Sequence, residues 1–166
     1  FCIIIMEQEI EELIESKINV RKDKMKWENK NLNVLIPMAG EGSRFKNAGF
    51  DKPKPMIDVN GIPMIARVIE NLNIDANYIF LVRKEHEEKH QIVRFLSKTI
   101  PNCKVVIVDS LTEGAACTTL LAKDLIDNDQ ELMIANSDQL VDFESGEFYH
   151  SMNNENIDGG VLTFNS

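Results

Sequence analysis

The chain has 166 residues, enough for one domain with its own core. Hydrophobic residues make up 43% and charged residues 27%, an ordinary globular profile, and the net charge of −9 argues against a general nucleic-acid binder. The three cysteines, Cys2, Cys103 and Cys117, show no metal or C-x-x-C spacing, and an odd number without obvious pairing suits a reducing, cytoplasmic setting.

Residues 1–6 are apolar but too few for a signal peptide, and acids follow at once. No apolar span is long enough to cross a membrane. A start at Phe1 rather than Met suggests a cut or carried-over beginning. Over residues 7–20, Ile10, Leu13, Ile14 and Ile18 recur at helical spacing opposite a glutamate face, which predicts an amphipathic helix that packs on the domain or docks a partner. Residues 21–31 are charged and aperiodic and read as a linker, in which Trp27 either anchors on the core or belongs to an interface.

Val34, Leu35 and Ile36 form a short apolar run, read as a buried strand. The strand enters a glycine-rich turn, Ala39-Gly40-Glu41-Gly42-Ser43-Arg44. Glycines there allow positive φ and let backbone N–H groups approach an anion. Arg44 adds a planar fork of donors suited to phosphate. Lys52-Pro53-Lys54-Pro55 then returns two cations on a stiff, extended segment, since proline fixes its own φ and keeps its predecessor out of the α region. Residues 41–54 carry four Lys/Arg against two acids, so the local balance is positive inside an acidic chain. A flexible cradle beside a rigid cationic arm is a plan for holding polyphosphate.

Val59-Asn60-Gly61 reads as a turn. Pro63 opens a helix whose apolar face is Met64, Ile65, Val68, Ile69 and Leu72. A strand over 78–82 and a helix over 85–97, with Ile92, Val93 and Leu96 inward, follow. Residues 104–109 are a β-branched strand of the kind found in a sheet covered on both faces. A helix over 115–126, a strand over 132–135, a short helix within 144–152 and a last strand over 160–164 complete the pattern. The β/α alternation predicts an α/β fold, three-layer α/β/α with a mostly parallel central sheet.

Two familiar motifs fit the glycine turn poorly. A dinucleotide fingerprint needs a third glycine where Phe45 stands, and an acid near the position of Arg83 and Lys84. A Walker loop needs Gly-Lys-Ser/Thr, which the turn lacks. The pattern Gly40-x-Gly42-Ser43-Arg44 with Pro53-Lys54 after a short loop resembles the sugar-1-phosphate nucleotidyltransferases, over residues 32–164. That resemblance implies a Rossmann-like nucleotidyltransferase fold with a mixed sheet. It implies transfer of a nucleoside monophosphate from a nucleoside triphosphate to a sugar-1-phosphate or similar phosphorylated acceptor, with release of pyrophosphate, for activated-sugar or surface-polysaccharide biosynthesis. Lys54 matches the family's catalytic lysine and Arg44 its triphosphate-binding arginine, while Lys52 falls where the family varies.

Gly114, with Glu113, is similar to the family's base-binding glycine turn; by itself the segment is a helix start with Thr112 as N-cap. Asp138 resembles the family's metal aspartate and is expected to hold Mg²⁺, a hard cation that seeks oxygen ligands. Ser137 and Gln139 depart from the family's Gly and Asn on either side, and alone Asp138 would read as a cap or turn residue. His86-Glu87-Glu88-Lys89-His90 fits the zinc-protease pattern H-E-x-x-H, but its surroundings are charged, no clear third ligand follows, and we read a solvated helix face. Asp58 and His150 have no assigned role. The expected organisation is a helix and linker over 1–31 and a nucleotide-binding domain over 32–166, cut short at its C-terminus before the second metal-binding aspartate. Such a piece should bind nucleotide weakly, turn over little, and self-associate across an open sheet edge. The competing reading is a non-catalytic nucleotide-binding regulatory module of a larger assembly.

Overall fold

A computed structural model describes residues 27–143, 145–152 and 157–163. The helix expected over 7–20 lies outside these residues. Four parallel strands form the central sheet in the order β5-β4-β1-β6. Their ranges are β1 Trp27–Met38, β4 Ile74–Arg83, β5 Lys104–Val108 and β6 Glu131–Ile134. Between β1 and β4 lie helix α1 (Ser43–Asn47), a 3-10 turn over Lys54–Met56, the short strands β2 (Asp58–Val59) and β3 (Ile62–Pro63), and α2 (Met64–Leu72). Helices α3 (Lys84–His90) and α4 (Ile92–Thr99) link β4 to β5, and α5 (Ala115–Leu120) and α6 (Lys123–Ile126) link β5 to β6. Helix α7 spans Ser145–Met152.

The apolar run in β1 explains its central place. Val34, Leu35 and Ile36 are fully buried and alternate between two cores. Val34 and Ile36 join Tyr78 and Phe80 of β4, Ile65 and Ile69 of α2, and Ile92 and Leu96 of α4. Leu35 joins Ile79 and Leu81 of β4 with Ala122, Leu125 and Ile126 on and beside α6. Helices therefore cover both faces, giving the three layers expected of this α/β chain. The sheet is parallel throughout the described residues; the only antiparallel pairing there is the separate β2–β3 hairpin. Asn60 and Gly61 both have positive φ (54° and 74°) in its two-residue loop, as a hairpin of that length requires.

Several boundaries differ from the sequence reading. β1 starts at Trp27, inside the expected linker, and reaches β4 through an irregularity between Glu28 and Asn33. Trp27 anchors on the core: it packs on Tyr149 of α7, whose hydroxyl donates to the Leu72 carbonyl at 3.0 Å. The helix expected over 85–97 breaks at Gln91, which adopts a left-handed conformation (φ 49°). Glu87 makes the break tolerable, because its carboxylate accepts the Val93 N–H at 2.7 Å and so satisfies a donor at the start of α4. Ile92 and Leu96 then turn inward, while Val93 stays partly exposed. The helix over 115–126 is likewise split at Leu121–Ala122. β5 is an edge strand: Val105 and Val106 pack against the two cores on opposite faces, while Ile107 is exposed. Residues 160–163 form no strand; Val161 is 86% exposed and no described strand lies beside it.

Candidate active site

Chain order reverses at β1: the next two long strands, β4 and β5, lie on one side of it, and β6 returns to the other. In open parallel sheets such a switch point opens a crevice beyond the carboxyl ends of the strands. Pro37 sharpens the opening. Ala135 N–H donates to the Leu35 carbonyl, so Leu35 faces β6 and, by alternation, so does Pro37. Proline has no N–H with which to extend that ladder, and the strands part beyond it.

A cavity of about 290 Å³ occupies this crevice, lined by Gly40, Gly42, Ser43 and Arg44, by Lys54 and Pro55, and by Ser137 and Asp138, with Pro37, Met38 and Phe45 completing the wall. Two neighbouring segments and a third distant in sequence thus converge. Gly42 holds a left-handed conformation (φ 63°, ψ 26°) and its carbonyl accepts the N–H groups of Phe45 and Lys46, turning the chain sharply into α1. The Arg44 guanidinium has no carboxylate partner among the described residues. Lys54 projects from the 3-10 turn, with extended Pro53 before it (φ −61°, ψ 148°) and buried Pro55 after it. Its ammonium is ion-paired with Asp138 and lies 5.1 Å from the centre of the Phe45 ring.

Asp138 is held by its loop. Asn136 Nδ2 donates to Gln139 Oε1 at 2.7 Å, and Asn71 of α2 makes two hydrogen bonds to the Val141 backbone. Phe45, Ser137 and Asn71 were not legible as site residues in the sequence. For Phe45 a signal existed: a large aromatic where a glycine motif would continue.

The remaining candidates fall elsewhere. Ala39 is buried with Leu35 and Ile79 in the core and does not line the cavity. Glu113 and Gly114 are exposed and also lie off it. Gly114 precedes α5, where its carbonyl accepts the buried Thr118 hydroxyl, which also bonds the Thr112 hydroxyl. Because all four strands run parallel, that loop still opens on the same edge of the sheet as the cavity. Lys52 is paired with Asp58 at 2.8 Å and contributes no charge to the cavity, which accounts for both residues. His86 and His90 sit on α3, away from the cavity, and no group of three His, Cys, Asp or Glu residues gathers for a metal among the described residues. His86 is not the solvated face residue expected from the motif. It is half-buried, its Nδ1 has no hydrogen-bond partner among the described residues, and burial lowers its pKa.

A cavity rimmed by a guanidinium and a lysine, with one carboxylate among its described lining residues, suits a polyanion and a hard cation together. Residues 33–166 match the nucleotidyl transferase family. The chain belongs to that family. The bifunctional protein GlmU of Methanocaldococcus jannaschii is 30% identical over 117 residues, which are 70% of this chain and 27% of that protein. This nucleotidyl transferase chain therefore spans about a quarter of the length of the curated relatives it matches. Among solved structures, HddC from Yersinia pseudotuberculosis complexed with GMP-PN has a TM-score of 0.54 at 22% identity, over 73% of this chain and 54% of that one. A nucleoside-diphosphate-sugar pyrophosphorylase from Vibrio cholerae RC9 gives 0.53 at 24% identity, over 63% and 46%. These likenesses establish the shared Rossmann-like α/β fold of the nucleotidyl transferase chain. No helix of the described residues is long and apolar enough to cross a membrane.

Proposed function

We propose that this chain is the nucleotide-binding part of a Mg²⁺-dependent nucleotidyltransferase that joins a nucleoside triphosphate to a sugar-1-phosphate or similar acceptor. The observation that carries the reading is the convergence of Arg44, Lys54 and Asp138 with the glycine turn on one cavity at the switch point. Family membership and the sugar-nucleotide relatives support the substrate class.

In this reading the glycine turn and Arg44 receive the β- and γ-phosphates, the guanidinium by paired hydrogen bonds. Lys54 faces the α-phosphate and offsets charge that builds there in the transition state. A phosphate oxygen of the acceptor bonds to the α-phosphorus as the bond from that phosphorus to the bridging oxygen breaks, and pyrophosphate leaves. No protein nucleophile is needed; positioning and electrostatics suffice. The donor set fits Mg²⁺ in its usual protein setting, one carboxylate with phosphate oxygens and water supplying the rest, and Asp138 is the carboxylate that would hold it. When bound, Mg²⁺ supplies charge neutralisation of the phosphates. Glu113 and Gly114 receive the base. Their loop follows β5, two strands from β1, and two interstrand spacings amount to roughly 10 Å, a plausible span from triphosphate to base.

Two measurements test this. Nucleoside triphosphates should raise the melting temperature of the chain, because ligand binding to the folded state alone stabilises it. The full-length protein should release pyrophosphate from triphosphate plus sugar-1-phosphate. Binding by the chain without pyrophosphate release by the full-length protein, across a panel of acceptors, would make it a nucleotide-binding regulatory module instead.

A further inference from the structure

The cavity already places one positive charge on Asp138. The Lys54 ammonium is ion-paired with Asp138 Oδ2, joining the arm before β2 to the loop after β6. The two side chains are 33% and 29% exposed, so the pair is accessible to a ligand yet partly shielded from water. Among the described residues lining the cavity, Asp138 is the only acid. Any divalent cation held there would meet the same carboxylate that Lys54 occupies.

The surroundings favour motion of the lysine side chain rather than of the backbone. Lys54 is fixed at its base: Ile57 N–H donates to the Lys54 carbonyl, Met56 N–H donates to the Pro53 carbonyl, and Pro55 is buried. The Asp138 loop is pinned through Val141 to Asn71. What remains free to reorient is the four-carbon stem of Lys54. The Phe45 ring lies beside it and offers the ammonium a second favourable surface 5.1 Å away.

We propose that Lys54 is an exchangeable counter-ion of Asp138. It neutralises the carboxylate until a divalent cation, arriving with a triphosphate, takes the carboxylate and sends the ammonium past Phe45 onto the phosphate. This rests on the reading of Asp138 as the metal carboxylate. The consequence is coupling. Metal alone must displace Lys54 and binds weakly, whereas metal with triphosphate gives the displaced ammonium a new anionic partner. By linkage, each then tightens the other by the same factor.

The experiment is a Mn²⁺ titration of the 166-residue chain, read by the electron paramagnetic resonance of free Mn²⁺, for wild type, Lys54→Met, Lys54→Arg and Asp138→Asn, each checked for an intact thermal transition. It is run with and without a non-hydrolysable triphosphate. The site in question is the Mn²⁺ binding lost in Asp138→Asn. Without triphosphate, Lys54→Met should bind Mn²⁺ there on the order of five-fold more tightly than wild type, the fold-change for loss of a competing ion pair of this exposure. Lys54→Arg should stay within two-fold of wild type, as should be roughly true when a like charge replaces the lysine. With triphosphate, Lys54→Met should show less tightening than wild type. If Asp138→Asn loses Mn²⁺ binding but Lys54→Met gains none, the exchange is wrong while the metal reading stands. If Asp138→Asn binds Mn²⁺ like wild type, the metal reading falls and the exchange with it.

Discussion

Replacing Gly42 by alanine should weaken the fold, whereas the same change at Gly40 should not. Gly42 sits at φ 63°, ψ 26°, where an L-residue carries a steric penalty from its own Cβ and carbonyl. An added Cβ would meet Lys54 Cβ at 3.7 Å and Lys54 N at 3.9 Å, ordinary contacts that add no clash. The cost is thus conformational, about 1–2 kcal/mol. It is offset by about 0.4–1 kcal/mol because alanine restricts the unfolded chain. A net loss of about 1 kcal/mol corresponds to roughly 2–4 °C in melting temperature for a chain of this size. Gly40 is not in the left-handed region and a Cβ there would meet nothing within 4 Å. Gly40→Ala should therefore be neutral or slightly stabilising. Gly42→Asn should lose less than Gly42→Ala, because asparagine visits the left-handed region more readily. Urea denaturation of the three variants, followed by circular dichroism, measures these differences. Equal losses for Gly40→Ala and Gly42→Ala would refute the argument, since space and backbone conformation distinguish the two sites.

Lys54→Ala in the full-length protein should cut pyrophosphate release by ~10²-fold or more while triphosphate binding persists; unchanged turnover would remove Lys54 from the chemistry. Arg44→Ala should weaken a triphosphate far more than the matching nucleoside in calorimetry, because its guanidinium is a phosphate fork without a carboxylate partner among the described residues. Equal losses would argue against the cradle. His86 gives a pH signature. Burial lowers its folded-state pKa below 6.5, so the unfolded chain binds the proton first and stability falls as pH drops below about 6.5 toward the folded value. His86→Leu should flatten the fall in stability below about pH 6.5, and an unchanged slope would show that His86 does not carry it.

Local chemistry made much of the site legible in the sequence. The glycine turn, the Pro-Lys-Pro arm and the Asn60-Gly61 hairpin depend on backbone preferences of a few adjacent residues, which operate before any tertiary contact forms. The apolar run at Val34–Ile36 likewise marked a strand buried on both faces. The strand's true start was hidden, because Asn29 and Lys30 are polar and are held by partners distant in sequence. Asn77 donates to the Lys30 carbonyl and Asn29 to Glu131. Gln91 could not be read as a helix break, since what sustains it is the Glu87 carboxylate capping Val93.

Strand order was decided by tertiary structure alone. The β/α alternation says that parallel strands form, but not that β6 returns beside β1 instead of continuing past β5. β1 and β4 bury side chains on both faces and take the centre, while β5 and β6, with Ile107 and Ile134 exposed, take the edges. That arrangement carries the loop after β6 to the crevice at Pro37 and sets Asp138 against Lys54. Periodicity is a property of neighbouring residues. The meeting of Lys54 with Asp138 follows from which strands can be buried twice, and only the packed sheet settles that.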